Sequence, residues 1–164
     1  MKKWIVISCV LVLGIGVLIF FLVSNQQKSQ EDNGIMKIAI FPTGTSEESY
    51  YFILNQEGKL KCSMGSRKDD NINQRNFIKT VAAFSEKILS ELDLQALINM
   101  ADKLETKGYS EKQFWTDSWN VAFLYNGKVY EMDYWHNENS EEFMNLINKI
   151  IELSPIPVDL HGWA

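Results

Sequence analysis

Four side chains near the C-terminus are of types that hold metal ions or move protons: Asp133, His136, Asp159 and His161. Asp133 and His136 lie at the outgoing end of a candidate β-hairpin. Asp159 and His161 alternate within VDLHGW, so an extended tail aims both the same way. If that tail docks beside the hairpin, two imidazoles and two carboxylates converge, a donor set suited to zinc or to acid–base chemistry. The competing expectation is structural, with the aspartates accepting from backbone donors and the histidines bonding locally at the surface. The chain has only these two histidines. It contains no Gly-rich phosphate loop, no G-x-S-x-G elbow, no paired C-x-x-C and no H-E-x-x-H helix, so the common hydrolase and nucleotide-binding mechanisms lose support.

Around these residues stand Asp117, Glu131 and four of the five tryptophans, Trp115, Trp119, Trp135 and Trp163. Exposed rings of this kind stack on sugars or anchor a partner protein. Core packing is the commoner fate of a tryptophan, and Trp115 and Trp163 are the two expected to show a face. The leading expectation is a non-catalytic binding domain for an envelope protein, peptide or glycan, with no cofactor. The alternative is a zinc-dependent enzyme or metal sensor built on the Asp/His set.

A scaffold for these residues is written in the local patterns of the chain. IMKIAIF (35–41), Tyr50–Leu54 and Lys59–Met64 are candidate strands, the last two joined by a polar turn at Gly58. In the last, Leu60, Cys62 and Met64 alternate with Lys59, Lys61 and Ser63, which predicts one buried and one wet face. SRKDDNINQRN is a loop by composition. FIKTVAAFSEKIL has a mixed pattern in which Phe77, Val81 and Phe84 fit helical spacing. SELD supplies a cap at Ser90 for a helix carrying Leu94, Leu97, Ile98, Ala101 and Leu104, stopped at Gly108. WNVAFLYNGKVYEMDYW reads as a hairpin turning at Asn126-Gly127. NSEEFMNLINKIIEL has Asn139 and Glu142 at capping-box spacing and an apolar face of Phe143, Leu146, Ile147, Ile150 and Ile151. Pro155 and Pro157 then set an extended tail along which Ile156, Val158 and Leu160 pack. The order predicts an α+β domain at 35–164: an antiparallel sheet with two hairpins, and two or three helices packed on one face.

Ahead of this domain, Trp4–Val23 is uncharged over twenty residues, about 30 Å as a helix, and is expected to cross a membrane. Residues 1–23 thus read as a transmembrane signal anchor and 24–34 as a polar linker reaching on the order of 20 Å. A cleaved signal peptide is the main competitor, but the apolar run is long and LVSN is a poor cleavage site. Cys9 lies inside the run, which disfavours a lipoprotein. Lys2 and Lys3 place the N-terminus in the cytoplasm and the domain outside, as a single-pass protein of the cell membrane. Removing those two lysines from the chain's 16 Lys and Arg leaves 14 against 21 Asp and Glu, a net charge of −7 beyond the anchor. Nucleic acid is therefore a poor partner. Cys62 is the one thiol outside the anchor, so no intrachain disulfide staples the domain, and it is expected to behave as a small buried hydrophobe.

The segments TDSW, NGKVYEMDYW and SPIPVDLHGWA, together with YFILNQEGKLKCSMGSR and LQALINMADKL, resemble small exported or membrane-anchored proteins of unknown function from low-GC Gram-positive bacteria. The resemblance spans roughly Tyr51 to Ala164. It implies an exported, envelope-associated domain and carries no activity, ligand or catalytic residue with it.

Overall fold

β-branched and aromatic runs punctuated by Gly, Pro and Asn dictate strands, and the computed structural model forms six of them. It describes residues 34–73, 76–107, 118–134 and 141–161. The elements are β1 (Gly34–Pro42), β2 (Ser49–Asn55), β3 (Lys59–Arg67), β4 (Ile78–Ile88), α1 (Glu91–Lys107), β5 (Trp119–Tyr125), β6 (Lys128–Asp133) and α2 (Glu141–Glu152). The strands make one sheet in the order β4-β3-β2-β1-β5-β6, and all its pairings are antiparallel. The domain is α+β. A four-strand meander and one hairpin meet at β1, rather than two separate hairpins, and two helices lie among the described residues. The expected anchor, Trp4–Val23, and linker lie outside them; no described helix is long and apolar enough to cross a membrane.

Local signals place these elements. Asn126 and Gly127 have φ of 48° and 76°, the paired left-handed conformation that a two-residue I′ hairpin demands. At the start of α1, the Asp93 amide donates to Ser90 Oγ at 3.1 Å and Ser90 Oγ donates back to the Asp93 carboxylate at 2.7 Å. That bond first, and Lys149 at 3.2 Å second, hold the Asp93 carboxyl below its usual range. The Lys149 pair also ties the start of α1 to α2. The other end of α1 reaches the β5–β6 turn, where Glu105 accepts from Asn126 at 2.8 Å and Lys128 at 2.9 Å.

Both helices cover one face of the sheet. Leu97, Ala101 and Leu104 of α1 and Phe143, Leu146, Ile147 and Ile150 of α2 join Ile38, Ile40, Phe52, Leu54, Leu60, Cys62, Trp119, Val121 and Phe123 in one core. The other face, expected to be wet, is half covered. Ile72 and Phe77, from the polar-looking loop after β3, pack on Ala39, Phe41, Tyr51 and Ala122 in a second apolar cluster. Arg67 pins this loop. Its guanidinium lies 4.7 Å from the centre of the Phe41 ring, and it donates to Asp70 at 2.6 Å and to the Thr45 carbonyl. An 8%-exposed cation persists here because its donors are met and a ring face lies beneath it.

The segment of mixed pattern forms β4. Phe77, Val81 and Phe84 fit helical spacing, yet they belong to an edge strand and the turn before it. The register slips between Met64 and Gly65, where Met64 faces Ala83 and Gly65 faces Val81. Ala82 is the extra residue of a β-bulge. One extra residue puts Val81 and Phe84 on the same side although they are an odd number apart, and a strand then mimics helical spacing.

This packing sets the behaviour of Cys62 and Gly65. Burial pushes the Cys62 thiol from 9.0 up to about 12, so its folded pKa lies above its unfolded one. Its contribution to stability is complete below pH 9.0 and is lost as pH rises toward the folded value. In a Cys9→Ser chain, an aromatic disulfide reagent will label Cys62 only after denaturant is added. The alkaline loss of stability assigned to the thiol will be absent when Cys62 is further changed to Ala. At the bulge, a Cβ on Gly65 would run into the Thr80 carbonyl oxygen. Gly65→Ala is expected to cost about 3 kcal/mol by urea unfolding.

Candidate functional site

The C-terminal residues singled out by type take two different positions. Trp119 opens β5 on the helix side of the sheet and is fully buried. Its indole N–H donates to the His161 carbonyl at 2.9 Å, and the His161 imidazole meets the ring edge-on at 5.9 Å. The tail thus docks on the helix side of β5 and β2. Ile156, Val158 and Leu160 pack against the core, and the Asp159 amide donates to the Tyr50 hydroxyl at 3.2 Å. Asp159 and His161 alternate outward as the period of two requires, and both are exposed. The His161 Nε2 lies 3.4 Å from Glu48.

Asp133 lies across the sheet from this arrangement. It pairs in register with Asn120, and directly opposite residues share a face. Asn120 follows Trp119 in the strand, so it and Asp133 project from the side opposite the tryptophan. Asp133 is 2% exposed and accepts from Ser118 Oγ at 2.7 Å. Ser118 in turn exchanges bonds with Thr43, its amide donating to Oγ1 at 3.0 Å and its carbonyl accepting from Oγ1 at 2.9 Å and from the Thr43 amide at 2.8 Å. This carboxylate fastens the end of β6 to the entry of β5, and the Ser118–Thr43 bonds carry the link on to the end of β1.

The tail does reach the hairpin strand, as the sequence suggests, but the sheet stands between Asp133 and His161. Asp133 therefore lies on the other face of the sheet from Asp159 and His161, and His136, the fourth member of the set, lies outside the described residues. Among the described residues, no group of three or more His, Cys, Asp or Glu side chains is placed to hold an ion. Of the tryptophans expected as binding rings, Trp119 is a core residue with no face for a ligand. Trp115, Trp135, Trp163, Asp117 and His136 lie outside the described residues.

A different surface presents apolar side chains to solvent. Val81, Phe84 and Ile88 on β4 are 55%, 56% and 65% exposed. Phe84 pairs in register with Ser63 and Ile88 with Lys59, which puts them on the face opposite the helices, beside Lys59 and Lys61. The loop carrying Ile72 and Phe77 covers the region of Phe41 and Tyr51; this apolar row lies outside that cluster.

The sequence matches no protein-family model and no curated protein.

The docked tail makes a measurable contribution. Ending the chain after Ser154 removes three half-buried aliphatic side chains at about 1 kcal/mol each and uncovers Trp119. An expected loss of about 3 kcal/mol in urea unfolding checks it, and an unchanged midpoint would show the tail to be passive.

Proposed function

We propose that this chain is a non-catalytic binding domain on the outer side of the cell membrane, held there by Trp4–Val23, and that it engages an envelope protein or peptide. The observation that carries the proposal is the row Val81, Phe84 and Ile88, three large apolar side chains more than half exposed on one strand at the sheet edge. Scattered apolar residues are ordinary on a surface, but a row on an open strand edge is costly to leave unprotected and marks contact with another chain. The polar groups near the C-terminus support the same view. Asp133 has a structural role in joining the end of β6 to the entry of β5, and the His161 carbonyl holds Trp119. A peptide or protein suits this surface better than a glycan, because a strand edge offers backbone donors and acceptors while Phe84 is the one ring in the row.

The test is photocrosslinking in the full chain within membranes, with the reactive side chain at position 84 or, as a control, at Leu92. Leu92 is apolar and 83% exposed on α1. Discrete adducts at 84 that are absent at 92 are expected. No adducts, or the same ladder at both positions, would overturn the proposal.

A further inference from the structure

We infer that the partner strand is an extended peptide alternating apolar and acidic residues, added to β4 as a seventh strand. This rests on the binding role proposed above and specifies its chemistry. β4 pairs with β3 on one side, and among the described residues no strand pairs with the other. Half of an edge strand's N–H and C=O groups therefore point away from the sheet, a template for strand addition. The two register shifts, at Met64/Gly65 and Ser66/Arg67, distort the first half of β4. From Ala83 to Ile88 the pairing is regular, Ala83 facing Met64 through Ile88 facing Lys59. That is the length of a common strand, roughly 20 Å.

Charge selects the occupant. The chain as a whole carries a net −5, yet β3 and β4 bear Lys59, Lys61, Arg67, Lys79 and Lys87 against Glu86 alone. Glu86 is taken by Lys59 at 3.2 Å and Arg67 by Asp70. Lys87 lies within electrostatic reach of Asp93, a carboxylate already bonded to Ser90 and Lys149, so with Lys61 and Lys79 it leaves a basic edge on an acidic protein. Along Ala83–Ile88, Phe84 and Ile88 lie on the open face, and Lys87 lies on the other. A strand of alternating character sets its apolar side chains beside Phe84 and Ile88 and its carboxylates beside Lys87. A second copy of this chain is the poorer occupant, since two such edges bring lysines against lysines.

The experiment is fluorescence anisotropy of a labelled alternating Val-Glu peptide, about eight residues long, titrated with the full chain in nanodiscs. Saturable binding that weakens with added salt is expected, with no binding of an alternating Val-Lys peptide. N-methylation of one alternate set of residues should abolish binding while methylation of the other set spares it, because only one set faces the β4 backbone. Phe84→Glu should weaken binding by about tenfold with an unchanged melting temperature, because the ring is exposed. Lys87→Glu, an independent surface change, should also weaken it. Absence of saturable binding, or equal binding by both methylated peptides, would overturn the inference. So would a dimer of the full chain, seen by sedimentation, that Phe84→Glu dissolves. Adducts at position 84 without binding of the Val-Glu peptide would leave the binding role standing and remove this partner. Loss of both would remove the two together.

Discussion

Everything in this domain depends on burying β1 from all sides. It lies between β2 and β5, so its backbone is hydrogen-bonded along both edges. Its side chains are covered on both faces: Ile38 and Ile40 enter the helix-side core, and Ala39 and Phe41 enter the smaller cluster opposite. A strand so enclosed supplies no surface of its own. What it provides is the one seam joining the meander β1–β4 to the hairpin β5–β6. The buried polar set of Thr43, Ser118 and Asp133 reinforces that seam at one end. Its members are hydrogen-bonded to one another, as burial of polar groups requires.

The rest of the molecule can be graded by distance from this seam. Trp119, Val121 and Phe123 beside it are fully enclosed or nearly so. The C-terminal tail, which follows α2 in the chain, returns to it through Trp119 and Tyr50. At the far edge, β4 has lost its covering on the face opposite the helices, and apolar side chains stand in water. The capacity for contact therefore collects where the packing runs out.

Elements governed by near neighbours are legible from the amino-acid order alone. Asn126-Gly127 fixes a turn, Ser90 and Asp93 a helix start, and the spacing of Phe143, Leu146, Ile147 and Ile150 a helix face. Each is decided within a few residues. What is not legible depends on partners far along the chain. The bulge at Ala82 exists because β3 carries Gly65 opposite it, and it shifts the side-chain parity on which periodicity is read. Ile72 and Phe77 sit in a polar stretch, and only the fold of the loop over Phe41 explains them. The separation of Asp133 from His161 has a similar reason. Sequence places Asp133 and His161 near one hairpin, but the face each occupies follows from register.

The seam has a consequence in time. β1 and β2 are separated by a short turn, but β1 and β5 meet only after some eighty residues of intervening chain, Lys37 against Leu124 for instance. Contacts of such separation form late and slow folding. Until the hairpin arrives, β1 is a ready-made edge, apolar on both faces and open along one side. An incompletely emerged chain therefore passes through a stage in which its future centre is its most adhesive boundary. Substitutions in β5 that barely alter the finished domain would lengthen that stage, and their cost would be counted in yield of folded protein.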